Sequence, residues 1–157
     1  MWLVLAAMAC VAVTTAVAVI IHDFFEGETL IADIIDEYRL SRTDLATLDA
    51  FWAGNSNRSD CVVSLTTIPS RISLLAPTLK SLMRQTRAPK RIVLNLPRMS
   101  KREGVPYVVP EFLSQLKSVE IARCEDMGPA TKAIPTLLRE APDQLVIIVD
   151  DDRIYPA

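Results

Sequence analysis

The stretch CVVSLTTIPSRISLLAPTLKSLMRQTRAPKRIVLNLP, residues 61–97, decides the fold of this chain. It opens on a β-branched run, CVVSLTT, that reads as a buried strand. In RISLLAPTLKSLMRQ, Ile72, Leu75, Leu79 and Leu82 then recur at helical spacing. Pro77 has no amide proton, so this helix is expected to begin or bend near it. RIVLNLP reads as a second strand, and strand, helix, strand makes a βαβ unit.

Downstream the alternation continues. KREGVPYVVPEFLSQL reads as a loop entering a short helix, SVEIARC as a third strand, PATKAIPTLLRE as a second main helix and QLVIIV as a fourth strand. Such alternation specifies an α/β fold, a parallel sheet with helices on its faces. Ligands of such sheets bind beyond the carboxyl ends of the strands. Three polar clusters, TTIPSR, RCEDMGPATK and DDDR, each follow a strand directly.

Upstream, residues 2–21 carry no ionisable side chain apart from Cys10. Twenty helical residues span roughly 30 Å, the hydrocarbon thickness of a bilayer. Residues 1–21 therefore read as a transmembrane signal anchor. The competing reading is a cleaved signal peptide, because Ala16, Val17 and Ala18 have a small-x-small form. Against it, no Lys or Arg precedes the apolar run, which is also long for a signal peptide. With only the α-amino group marking the N-terminal side, the expected orientation is single-pass type II, the body in a secretory-pathway lumen.

Residues 22–60 read as a helical stem and linker. Leu30, Ile31, Ile34, Ile35 and Tyr38 share a helix face, and Ser41 with Asp44 suggests a capping box before Leu45, Leu48 and Phe51 or Trp52. That apolar face suits packing on the body, pairing with a second copy as a homodimer, or lying on the membrane. AGNSNRSD, residues 53–60, then separates stem from body.

Charge changes sign at this boundary. Residues 22–56 hold eight acidic and two basic groups, net −6, whereas residues 57–157 hold eleven acidic and fifteen basic groups, net +4. The basic excess suits an anionic small molecule. It is too diffuse, and too poor in interleaved aromatics, for nucleic acid. Three cysteines make no disulfide framework, Cys61 and Cys124 read as buried thiols beside strands, and no zinc spacing occurs. The one histidine, His22, falls at the membrane edge.

Each cluster carries a chemistry and a plainer alternative. QLVIIV, the most apolar strand, is expected to be central and to deliver Asp150, Asp151 and Asp152 to the crevice. Strand alternation would turn Asp150 and Asp152 to one ligand and Asp151 away. Hard carboxylate oxygens suit Mn²⁺ or Mg²⁺. Without such a cation, carboxylates beside a diphosphate would repel it by about 4 kcal/mol per pair of unit charges at about 4 Å, at an effective dielectric near 20. The alternative is a solvated acidic turn. In DMGPATK, Gly128 permits positive φ, Pro129 suits a first helical turn, and the helix-start amides with Lys132 one turn in would form an anion site. An ordinary connection with a surface lysine is the alternative. In TTIPSR, Thr66, Thr67 and Arg71 can hold a base, ribose or phosphate, or merely cap and solvate a helix.

In this order and spacing, VVSLTTIPSRI (62–72), RCEDMGPATKAIPTL (123–137) and VIIVDDDRIYP (146–156) resemble the nucleotide-sugar-binding half of a family 2-like glycosyltransferase of the GT-A fold. In that family an aspartate motif of DxD type follows a central strand. The resemblance covers residues 61–157. It implies a Rossmann-like sheet and transfer of a sugar from a nucleotide diphosphate donor, with Mn²⁺ or Mg²⁺ bridging the diphosphate. Asp152 would be the metal ligand, Asp150 would face the metal or ribose, and Asp126 would meet the base. Thr66, Thr67, Pro69 and Arg71 would line the nucleotide pocket, with Gly128, Lys132 and Asp151 beside it. An anchor and stem fit a Golgi transferase of this kind.

Enzymes of the family continue well beyond the aspartate motif, into the acceptor site and, in inverting members, the catalytic base. The expectation is thus that the chain as given is an amino-terminal or degenerate portion that does not complete a transfer cycle. Two other classes remain: a non-catalytic, membrane-anchored interaction protein working through its stem, and a receiver-like Mg²⁺-binding fragment in which LVIIVDDD is the opening strand. The latter leaves GPATK and the anchor unexplained.

Overall fold

In the computed structural model, residues 2–26 and 30–156 are described. The chain divides into two units between Tyr38 and Arg39.

The first unit holds α1 (Trp2–Glu26) and most of α2 (Leu30–Ser41). Within α1, Val4–Phe25 is long and apolar enough to cross a membrane. Its two threonines satisfy themselves inside the helix, Thr14 Oγ1 donating to the Cys10 carbonyl at 2.8 Å and Thr15 Oγ1 to that of Val11 at 2.9 Å. Neither threonine hydroxyl then needs water as a partner. On α2 the expected stripe forms, and Ile31, Ile34, Ile35 and Tyr38 are all exposed.

The second unit is built on a four-stranded parallel sheet, β1 (Val62–Thr66), β2 (Arg91–Pro97), β3 (Val119–Cys124) and β4 (Val146–Ile148), in the order β3-β2-β1-β4. Strand succession thus runs outward from β1 on one side through β2 and β3, then returns to its other side with β4. A crevice forms at the carboxyl ends where that order reverses.

The central strands bury every apolar residue, Val62, Val63 and Leu65 on β1 and Ile92, Val93, Leu94 and Leu96 on β2. One face packs on Leu75, Leu79, Leu82 and Met83 from α4 (Ala76–Met83) and its approach. Helix α4 begins where Pro77 predicts. A single 3-10 turn, Ile72–Leu74, precedes it, and the proline falls in the first helical turn, where an amide would lack a partner anyway.

Four expectations are corrected. First, the body begins before residue 61. Helix α3 (Leu45–Gly54) belongs to it, burying Trp52, whose Nε1 donates to the Pro89 carbonyl at 2.9 Å. Asp49 is also buried, and accepts from the amides of Lys117 and Ser118 at 2.9 and 2.8 Å, tying α3 to the approach to β3. Second, Ser41 is the last residue of α2 and not a cap. Asp44 alone caps α3 from an extended backbone, accepting from the Thr47 amide at 3.0 Å.

Third, PATKAIPTLLRE is not one helix. Gly128–Lys132 is a 3-10 segment and α6 covers only Ile134–Leu137, because Pro135 cannot donate back into the preceding turn and restarts the helix instead. A second short helix, α5 (Glu111–Ser114), leads to β3 as expected. Fourth, β4 is not central. Among the described residues it pairs only with β1, and Leu145, Ile147 and Ile148 are exposed. Cys61 and Cys124 are free and half-buried, and burial pushes the Cys124 thiol up.

Candidate functional site

At the carboxyl ends of the strands lies a cavity of ≈ 310 Å³. Its walls include Thr66, Thr67 and Arg71 after β1, Asp126, Gly128 and Lys132 after β3, and Asp150 and Asp151 after β4. All three polar clusters of the sequence therefore meet in one place. Two expected residues stand outside the wall: Pro69, half-buried between Ile68 and Ser70, and Asp152.

A buried polar network sets the floor. Asn95 Nδ2 on β2 donates to Ser64 Oγ on β1 at 3.0 Å and to Thr136 Oγ1 on α6 at 2.8 Å. Ser64 Oγ in turn donates to the Lys132 carbonyl at 2.7 Å. Two small polar side chains on adjacent central strands thus fasten the broken segment after β3 to the sheet and fix the backbone that carries Lys132.

The aspartates do not follow strand alternation, because β4 ends at Ile148 and the chain turns at Asp151 and Asp152. Asp151, which alternation would have turned away, is the enclosed one: its side chain is 8% exposed. Thr67 Oγ1 donates to it at 2.5 Å and Arg71 Nη2 lies at 3.0 Å, while its carbonyl accepts from Thr78 Oγ1 on α4 at 2.9 Å. Asp150 and Asp152 are 58% and 56% exposed. Lys132 Nζ donates to Asp150 Oδ1 at 2.6 Å, and Arg71 Nη1 donates to Asp152 Oδ2 at 2.8 Å. Hydrogen bonding from Asp150 raises the Lys132 pKa. The Arg71 Nε is buried with no acceptor among the described residues.

Beyond the aspartates the chain folds back on α4. The Tyr155 hydroxyl oxygen accepts from the Asp150 amide at 2.8 Å, and the Tyr155 amide donates to Ser81 Oγ at 3.1 Å. The acidic turn is in this way pinned on both sides.

The amides expected to receive an anion after β3 are already engaged. Gly128, at φ 62°, donates its amide to Asp126 Oδ1 at 2.8 Å, and the Met127 amide donates to Thr131 Oγ1 at 2.8 Å. With only a 3-10 segment behind them, no helix-start anion site forms, and Lys132 contributes its side-chain charge instead. Asp126 accepts on its other oxygen from the Lys101 amide at 2.7 Å. The Lys101 amide chiefly, then that of Gly128, holds the Asp126 carboxyl below its ordinary range.

Sequence reading missed the fourth wall. Ser100, Arg102 and Tyr107 also line the cavity, from the connection that follows β2. That connection doubles back through a bridge between Met99 and Pro106, with Gly104 at φ 69° in the turn. Tyr107 is buried, which pushes its phenol up, and its hydroxyl donates to the Thr67 carbonyl at 2.8 Å. Only the turn glycine in KREGVPY signalled this arrangement.

Asp150 and Asp152 offer exposed carboxylate oxygens, and Mg²⁺ or Mn²⁺ commonly uses one or two protein carboxylates, completing its shell with water and phosphate. Among the described residues, no group of three or more His, Cys, Asp or Glu side chains is placed to hold a metal by itself. No protein-family model, curated protein or solved structure matches this chain.

Proposed function

We propose that residues 61–157 form a Rossmann-like, GT-A-type donor site of a metal-dependent glycosyltransferase, binding a nucleotide diphosphate sugar. The observation that carries this reading is the convergence of the three strand-end clusters on one cavity beside the reversal of strand order. Its ≈ 310 Å³ falls at the lower end of the range of about 300–1,000 Å³ typical of small-molecule pockets.

In this reading each residue has a task. Asp150 and Asp152 hold Mn²⁺ or Mg²⁺, and Asp151 locks the turn to Thr67 and Arg71 so that its neighbours stay presented. Arg71, with its spare Nε, and Lys132 supply positive charge beside the diphosphate. Asp126, fixed by two amides, keeps lone pairs for the base. A cation held by Asp150 and Asp152 would supply charge neutralisation for a departing nucleoside diphosphate. The α1 helix makes the protein a single-pass type II membrane protein of the Golgi or another secretory compartment, with the body in the lumen. The sugar acceptor is a glycan, protein or lipid.

The test is calorimetric titration of the detergent-solubilised full chain with UDP and with GDP, each with and without Mn²⁺. Metal-dependent binding of one nucleotide is expected, weakened about tenfold or more in Asp150→Asn and Asp152→Asn. Asp143→Asn, exposed at the opposite end of β4, should bind as wild type. A folded protein that binds neither nucleotide would sink the reading. It would leave the aspartates as a turn that fastens β4 to α4, and would favour a membrane-anchored association protein or degenerate transferase working through the exposed stripe of α2.

A further inference from the structure

Charge around the cavity is distributed unevenly. Of its three cationic side chains, Arg71 is shared between Asp151 and Asp152, and Lys132 is engaged by Asp150. Arg102 is different. It lines the cavity, it is exposed, and it makes no ion pair among the described residues.

Its backbone, by contrast, is held on both sides. The amide of the preceding residue, Lys101, donates to Asp126 Oδ2 at 2.7 Å, which ties the connection to the end of β3. The following residue, Glu103, receives the Ser70 amide on one oxygen at 3.0 Å and the Ser70 hydroxyl on the other at 2.5 Å, which ties it to the segment after β1. The Glu103 amide also donates to Ser100 Oγ at 3.2 Å. That anchored backbone holds the Arg102 side chain at the cavity, and its guanidinium donors, with no acceptor among the described residues, are open to a ligand at the cost of ordering one side chain. Its planar fork matches the paired oxygens of a phosphate.

We infer that Arg102 is the residue by which this site prefers a nucleoside diphosphate to the bare nucleoside, receiving phosphate oxygens on its guanidinium. The inference rests on the donor-site reading and adds to it a residue that none of the three strand-end clusters contains. Arg71 and Lys132 are ion-paired with the three aspartates. The phosphate's extra charge therefore falls to the cation that has no internal partner.

The experiment compares wild type, Arg102→Gln and Arg102→Lys in the full chain in detergent. UDP, GDP, uridine, guanosine and inorganic pyrophosphate are titrated in Mn²⁺ at several salt concentrations. Arg87→Gln, an exposed arginine at the other end of the sheet, controls for net charge. Arg102→Gln should weaken the preferred diphosphate and pyrophosphate about 10- to 100-fold and flatten the salt dependence. Nucleoside affinity and the unfolding midpoint should not change, and Arg102→Lys should recover part of the loss. Unchanged diphosphate binding in Arg102→Gln overturns the inference while leaving the donor site standing. So does an equal loss for nucleoside and diphosphate, which would mark a role in shaping the pocket. Wild-type protein that binds none of the five overturns the donor-site reading and this inference together.

Discussion

Strands β2 and β4 are written in nearly the same apolar alphabet, RIVLNLP against LVIIV, and the fold treats them oppositely. β2 lies between β1 and β3, and its Ile92, Val93, Leu94 and Leu96 are fully buried. β4 has a neighbour on one side only, and Ile147 and Ile148 are each 43% exposed. An apolar run fixes that a segment is a strand, whereas the number of strands and helices around it fixes what its burial is worth. The sharpest way to break this contrast is a pair of truncations. Leu94→Ala removes a side chain at 0% exposure in the main core and should cost about 2–5 kcal/mol. Ile148→Ala should cost less than about 1 kcal/mol. Chemical unfolding followed by the fluorescence of buried Trp52 measures both, and equal losses would mean that β4 is covered in solution.

The same difference reaches the site. The residues after β1 are placed by a buried strand with core on one side, while the aspartates after β4 depend on partners from elsewhere: Thr67, Arg71 and Thr78. Asp151 is the hinge of that arrangement, so its contacts should carry more stability than those of its exposed neighbours. Thr67→Val removes one donor to an enclosed carboxylate and should cost about 1–3 kcal/mol. Thr78→Val removes a neutral bond to a carbonyl and should cost about 0.5–1.5 kcal/mol. If the two losses were reversed, the anchor of the turn would be its backbone rather than its carboxylate.

What the sequence disclosed follows from the range of the forces involved. Strands β1, β2 and β3, the onset of α4 at Pro77 and the meeting of three polar clusters at one sheet edge are local facts joined by one topological rule. The broken segment at residues 128–137 was less legible. Pro135 was visible, but its effect depends on Ser64 and Asn95 waiting beneath it to receive Thr136 and the Lys132 carbonyl. Asp151 was misjudged because a period of two was extended past the last strand residue, where a turn had already begun. Asp49 and Arg102 were not singled out at all. One is a carboxylate buried by amides 68 and 69 residues away, and the other is a surface arginine made notable only by what its neighbours grip. Contacts at that separation leave no periodic trace.

The finest contrast is between two carboxylates of the cavity wall, Asp126 after β3 and Asp150 after β4. Asp126 is held by backbone amides, and those amides lower its pKa in the folded state, the Lys101 amide most. Its contribution to stability is present above the ordinary carboxylate pKa of about 3.9 and disappears as pH falls through the lowered value. Asp150 is held by Lys132, whose pKa is raised in the folded state by the hydrogen bond between them. That contribution is present below the ordinary lysine pKa of about 10.4 and disappears as pH rises through the raised value. Both pairs are largely solvated, so each should amount to about 1 kcal/mol or less. Unfolding followed across pH should show Asp126→Asn losing its deficit relative to wild type at the acid end, and Lys132→Met losing its deficit as pH rises to the alkaline end. Adding salt should shrink the Lys132→Met effect first, because that pair is held by exposed charges alone whereas Asp126 keeps two amide hydrogen bonds. A Lys132→Met deficit that persisted unchanged to the alkaline end would mean that the Lys132 charge does not hold the β4 end of the cavity.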